Sequence, residues 1–312
     1  MSAGPKTAGS NGPARGEAVL LAFDDEWELA QRLASALGWP LHPVQRHRFP
    51  DGETRLRLPP QLPPRVAILR GLQQPNAKLT ELWLAAAGAR ELGARQLALA
   101  APYLAYMRQD IAFTPGEVVS QRHLGRLLAQ GFECVITIDP HLHRVATMDE
   151  VVPGRRGVAL SAAPLLGRWL AAQVPGALLV APDEEAEQWV ASAARAQGLP
   201  YLVAHKQRLG DREVRVSIPP AEVAGRAVVL LDDVASTGRT LLDATATLHA
   251  RGAASVDVAV THGLFVGDAI ERLREAGVRH IWSTDSVPHA SNRVSVAPLL
   301  AQALADWVRP PN

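Results

Sequence analysis

Short apolar runs bounded by polar turns recur along the whole chain, and stretches with helical spacing separate them. The runs at 18–23, 65–70, 96–102, 134–139, 177–182, 201–205, 227–232, 255–262 and 280–285 are rich in Val, Ile, Leu and Ala and predict strands. Residues 25–38, 76–94, 120–131 and 241–252 carry apolar positions at helical spacing and predict helices. Strands that alternate with helices belong to parallel sheets covered on both faces, so the fold class is α/β. Nine strands are many for one sheet, and Pro and Gly cluster in "DEVVPGRRGVALS" at 149–161. A boundary at 155/156 then gives two α/β domains of similar size, 18–155 and 156–312. Residues 1–17, "MSAGPKTAGSNGPARGE", lack an apolar core and are expected to be a disordered tail.

In open parallel sheets ligands bind beyond the carboxyl ends of the strands, so the polar residues just after each apolar run are the ones to weigh. The stretch "AVVLLDDVASTGRTL" at 227–241 is the most informative. Its apolar run is a buried strand, and Asp232 and Asp233 are expected where that strand leaves the sheet. Adjacent carboxylates repel unless a cation or a ligand separates their charge. The "ASTGRT" turn then leads into a helix, and backbone N–H groups at such a helix start form an anion site. Other clusters follow the same rule: Asp139 and two histidines in "TIDPHLH", Asp183 in "APDEEAEQW", Lys206 and Arg208 in "AHKQRLGDREV", and Arg108, Gln109 and Asp110 in "PYLAYMRQD". A loop with Phe49, Asp51 and Glu53 precedes an alternating, strand-like pattern.

The formal net charge of +1 argues against a nucleic-acid footprint. No apolar stretch reaches membrane-spanning length, and no membrane partner is expected. The single cysteine, Cys134, lies in the apolar run "CVITI" and is expected to be a small core residue. With no disulfide possible within the chain, a reducing, cytoplasmic setting is expected. Only Lys6, Lys78 and Lys206 are lysines in a chain that otherwise uses arginine, which gives Lys206 added interest.

"VVLLDDVASTGRT" resembles the phosphoribosyl-pyrophosphate (PRPP) loop shared by type I phosphoribosyltransferases and PRPP synthetases. Five further segments favour the synthetases, the ribose-phosphate diphosphokinases: "RFPDGETRLRL", "PYLAYMRQD" with "PGEVVS", "TIDPHLH", "AHKQR" and "VTHGLFVGDAIERL". The resemblance runs from about Val19 to the end of the chain and is closer to the archaeal-type branch. It implies two tandem phosphoribosyltransferase-like domains, each a mostly parallel sheet flanked by helices. It implies a nucleotide-biosynthesis transferase in which the anomeric hydroxyl of ribose 5-phosphate attacks the β-phosphorus of ATP and AMP leaves. Mg²⁺ is the implied cofactor, ATP and ribose 5-phosphate are the implied partners, and a homo-oligomer, dimer or higher, is the implied assembly.

Residue by residue, the resemblance assigns Lys206 and Arg208 to the transferring diphosphoryl group. Asp232 and Asp233 take the ribose hydroxyls, and Ser236, Thr237, Gly238, Arg239 and Thr240 take the 5-phosphate. Arg108 and Gln109 contact ATP; Phe49, Asp51 and Glu53 contact it too, in this family from a neighbouring subunit. His141 and Asp183 place the Mg²⁺. Three departures stand out: Glu184, Glu185 and Glu187 where the family has small neutral residues, Pro140 in the "DPH" segment, and Arg239 in the phosphate loop. Acids beside a diphosphate are unfavourable unless they point away or bind metal. Two alternatives therefore stay open, a weakly active or regulatory synthetase paralogue and a phosphoribosyltransferase that consumes PRPP.

Overall fold

The computed structural model describes residues 17–208, 214–217 and 222–309, with the side chains of the 205–208 and 214–217 strands excepted. The expected tail at 1–17 lies outside the described residues but for Glu17. In chain order, the first half comprises β1 (Ala18–Ala22), α1 (Trp27–Leu37), β2 (Leu41–Pro43), β3 (Gln45–Arg48), β4 (Thr54–Arg57), β5 (Arg65–Leu69), α2 (Pro75–Glu91), β6 (Gln96–Ala101), α3 (Ser120–Gly131), β7 (Cys134–Ile138), α4 (Met148–Val151) and β8 (Arg156–Leu160). The second comprises α5 (Ala163–Gln173), β9 (Leu178–Ala181), α6 (Glu187–Arg195), β10 (Tyr201–Val203), β11 (His205–Arg208), β12 (Val214–Ser217), β13 (Ala227–Ala235), α7 (Arg239–Ala250), β14 (Ser255–Gly263), α8 (Ala269–Glu275), β15 (Val278–Thr284), β16 (Asn292–Val294) and α9 (Ala297–Val308).

Each half holds a six-stranded sheet, ordered β2-β1-β5-β6-β7-β8 and β10-β9-β13-β14-β15-β16. Every pairing within these two sheets is parallel. Numbered within its own half, each sheet has the order second-first-third-fourth-fifth-sixth. Between its second and third strands each half also extends an antiparallel hairpin, β3–β4 in the first and β11–β12 in the second. The two halves are thus built on one plan. β1, β5, β6 and β7 are almost wholly buried, which is why they are continuous apolar runs with no polar alternation.

The boundary expected at 155/156 falls just before β8, which pairs with β7 and extends the first sheet to Leu160. The helix after that sheet, α5, then packs on α6 through Ala163, Leu166 and Leu170 in the core of the second half. The last helix, α9, returns to pack on α1 through Leu300 and Leu304 in the core of the first half. The second half therefore gives its terminal helix to the first, and the two meet around a shared cleft.

The α5–α6 contact depends on Gly167. A Cβ there would lie 2.3 Å from the carbonyl oxygen of Ala193 on α6. Gly167→Ala gains about 1 kcal/mol in helix propensity, but forcing the helices apart costs about 1–3 kcal/mol. A lower melting temperature is expected in thermal unfolding; an unchanged or higher one would show that the helices separate freely.

Cys134 is fully buried, and burial pushes its thiol up to about 11, so it is inert at neutral pH. Among the described residues no helix is long and apolar enough to cross a membrane.

Candidate active site

The chain crosses from one half to the other where β7 ends. Asp139 follows β7 with φ of 35°, an uncommon conformation for a residue with a side chain. Its buried carboxylate accepts hydrogen bonds from Trp189 Nε1 on α6 (3.0 Å), Thr261 Oγ1 on β14 (2.9 Å) and the backbone N–H of Ala162 (2.9 Å). Burial pushes this carboxyl above its ordinary value, and the donors around it oppose that push. His262, fully buried at the end of β14, donates from Nε2 to the Ile138 carbonyl at 3.0 Å. Its Nδ1 lies 2.8 Å from Ser286 Oγ. Burial lowers its affinity for a second proton, so the ring is neutral. These bonds pin the end of β7 to the second sheet and set the direction of Pro140 and His141.

A cavity of about 520 Å³ opens at this junction, and Arg108, Gln109, Asp139, His141, Asp233, Ser236 and His262 are among its lining residues. Segments more than a hundred residues apart in the chain thus meet at the strand ends. His141 Nδ1 lies 3.4 Å from Asp233 Oδ2. Burial pushes the Asp233 carboxyl up, but the His141 hydrogen bond, with help from Asp232 and His262, holds it below the usual carboxylate range. Asp232 is the opposite case. Burial, the Asp233 charge and the nearby Asp183 charge together push its carboxyl well above the ordinary value. The two neighbouring carboxyls are thus pushed in opposite directions.

The acids do not mark the end of their strand. β13 continues through Val234 and Ala235, which pair with His262 and Gly263, because β14 is itself long enough to supply partners. The loop proper is only Ser236–Gly238. Gly238 has φ of 72° and caps α7, and that left-handed turn suits glycine. A smaller cavity of about 130 Å³ lies over this turn, lined by Arg108, Asp232, Ser236, Thr237, Gly238, Arg239 and Thr240. It joins the start of α7, whose first N–H groups have no partner within the helix, to the guanidinium of Arg108. The expected anion site is thus a real concavity, and Arg108 touches both it and the larger cavity.

Asp183 follows β9 and accepts a hydrogen bond from the Ala186 N–H at 3.3 Å. β9 and β13 are neighbours at the point where the order of the second sheet reverses; Asp183 stands just beyond β9, and Asp232 lies near the end of β13. Phe49, Asp51 and Glu53 are elsewhere. They form the turn of the β3–β4 hairpin, closed by Phe49 N–H to the Glu53 carbonyl (2.8 Å) and Glu53 N–H to Asp51 Oδ1 (3.1 Å). None of the three lines either cavity. The side chains of Lys206 and Arg208 lie outside the described residues; their backbone is β11.

Sequence reasoning named Asp139 as a strand-end residue without a role and did not single out His262; the bonds that join them to the other half, Asp139 to Thr261 and His262 to Ile138, span more than a hundred residues.

Residues 18–131 match the model of the N-terminal domain of ribose phosphate pyrophosphokinase, and residues 196–302 match the phosphoribosyl synthetase-associated domain. The chain is 37% identical over 290 residues to the ribose-phosphate pyrophosphokinase of Methanopyrus kandleri, covering 92% of this chain and 98% of that one. It is 34% identical over 289 residues to that of Halobacterium salinarum, covering 92% and 100%. Among solved structures, the phosphoribosylpyrophosphate synthetase of Mycobacterium smegmatis superposes with a TM-score of 0.78 at 25% identity, covering 92% and 97%.

Proposed function

Because the chain belongs to the ribose-phosphate pyrophosphokinase family and is an ATP-dependent diphosphotransferase, we propose that the cleft between its two halves is where ribose 5-phosphate and ATP meet. The observation that carries this reading is the convergence of Arg108, Gln109, His141, Asp233 and Ser236 on one cavity, although they come from three segments far apart in sequence.

In this reading the Ser236–Gly238 turn and the first N–H groups of α7 bind the 5-phosphate. Asp233, ionised and aimed into the cleft, accepts hydrogen bonds from the ribose hydroxyls. Arg108 lies between the phosphate turn and the larger cavity and offsets phosphate charge in both, with Gln109 beside it on the ATP side. Lys206 and Arg208, on the hairpin next to β10, meet the diphosphoryl group during transfer. Phosphoryl-group transfer leaves the protein little covalent work, and these roles are positioning and charge neutralisation.

The residues present fit Mg²⁺. Asp183, Asp232 and Asp233 crowd together, and the strain shows as the raised Asp232 carboxyl, which a divalent cation would relieve. Carboxylate oxygens are also the donors that Mg²⁺ takes. Asp183, with His141, would hold it, and when bound it neutralises charge on the ATP phosphates. The β3–β4 turn with Phe49, Asp51 and Glu53 does not line its own cleft, which fits service to the cleft of another subunit in a homo-oligomer.

The test is AMP release from ATP and Mg²⁺. It is expected only when ribose 5-phosphate is present, with PRPP formed in equal amount. Loss of PRPP on adding a nucleobase, with no AMP made from ATP, would favour the transferase alternative.

A further inference from the structure

The acidic run after β9 departs from the family pattern, and its neighbours give it a use. Glu185 Oε2 lies 4.0 Å from His143 Nε2, and the rings of His143 and His141 meet edge-on with centroids 3.8 Å apart. One ligand atom from each of His141, His143 and Glu185 lies within 4.8 Å of the others. We propose that these three side chains form a binding site for a first-row transition-metal dication of the Zn²⁺ or Co²⁺ type, which shares His141 with the Mg²⁺ position and differs from it by adding His143 and Glu185.

Two imidazoles and one carboxylate suit Zn²⁺, Co²⁺ or Mn²⁺. Mg²⁺ prefers an all-oxygen shell and keeps its water. Three protein ligands also leave room for water or a phosphate oxygen to complete the shell. An exposed His–Glu pair by itself would be worth little. Here the two arms of the cluster are held in register. His141 and His143 follow Asp139, whose backbone turn is fixed by its buried carboxylate and by Pro140. Glu185 precedes α6, and α6 carries Trp189, the indole that donates to that same carboxylate at 3.0 Å. One buried hydrogen bond thus ties the histidine loop to the acidic turn, the outer support a metal site needs. Pro140 and Glu185, each unexplained as a departure, both gain a role.

The inference rests on these side chains and not on the diphosphokinase reading, so it is tested with no nucleotide or sugar phosphate present. The full chain, stripped with a chelator, is titrated with Co²⁺ and its visible d–d absorption followed. Saturable binding is expected, displaced by Zn²⁺ and not by excess Mg²⁺. His143→Ala and Glu185→Gln should each weaken Co²⁺ binding about tenfold or more. His143→Cys should add a thiolate-to-Co²⁺ charge-transfer band in the near ultraviolet, a gain that poor folding cannot mimic. No saturable Co²⁺ binding, displacement by Mg²⁺, unchanged affinity in both loss variants, or no charge-transfer band in the cysteine variant would overturn the site. Any of these would leave ribose-5-phosphate-dependent AMP formation untouched.

Discussion

Lys206→Ala is expected to lower kcat and kcat/KM together by about two to four powers of ten, with little change in the affinity for either substrate. Lys206 lies in β11, opposite Val216 of β12, and Arg208 lies opposite Val214. The β11–β12 hairpin pairs with neither large sheet. A ladder of four residue pairs is marginal on its own, so contact with a bound diphosphoryl group can set its position. An interaction made mainly at that moment acts on the transition state and leaves ground-state binding alone. Lys206→Arg should recover only part of the loss, because a planar guanidinium places its charge differently from a compact ammonium. Turnover within a few-fold of wild type in Lys206→Ala, in an enzyme otherwise active, would make Lys206 a solvated hairpin residue and nothing more.

The two-halves plan shows what a sequence can and cannot carry. The nine apolar runs all appear as strands; the inner ones, such as β1, β6, β7 and β14, are buried on both faces and so must be apolar nearly throughout, a requirement that is local. β2, β8 and β16 went unread because they are edge strands of three to five residues with mixed polarity. The return of α9 to the first half was equally hidden: an amphipathic helix shows that one face is covered, but not by which sheet. The expected boundary followed the Pro-Gly cluster, whereas β8 and α9, both beyond it, pack with the first half. Burial of charge was not legible either. Arg70 ends an apolar run and would be taken for the exposed end of a strand. It is instead fully buried, stacked on Phe23 and paired with Asp25 and Glu81. The site itself was more legible than the packing, since each half places its polar residues after strands and the plan brings those strand ends together. The repeated plan also sets the "FPDGE" and "HKQR" segments in equivalent hairpins of the two halves, a relation their sequences do not show.

Asp233→Asn is expected to raise the KM for ribose 5-phosphate by about ten- to a hundredfold, the worth of hydrogen bonds to a charged group, with little change in ATP affinity measured alone. The residue is only 6% exposed and three residues from the phosphate turn, so a sugar seated by its 5-phosphate brings its hydroxyls to this position. His141 keeps it ionised and able to accept at neutral pH, whereas an amide of the same shape must offer a donor on one side. Asp232→Asn supplies the contrast, because the two acids sit in opposite electrostatic states. The folded-state value of Asp233 is depressed, so its ionised form stabilises the fold above the ordinary carboxylate range, and that contribution is lost as pH falls through the depressed value. The value of Asp232 is raised, so ionising it at neutral pH costs stability. Asp233→Asn should therefore lower the melting temperature of the ligand-free protein at neutral pH, and Asp232→Asn should raise it, while both impair ribose 5-phosphate use. Thermal unfolding without ligand and initial rates against each substrate separate these effects. Equal losses for ATP and ribose 5-phosphate in Asp233→Asn would remove that residue from the pentose site. Shifts of the same sign in the two variants would show that the acids do not divide their charge as the His141 contact requires.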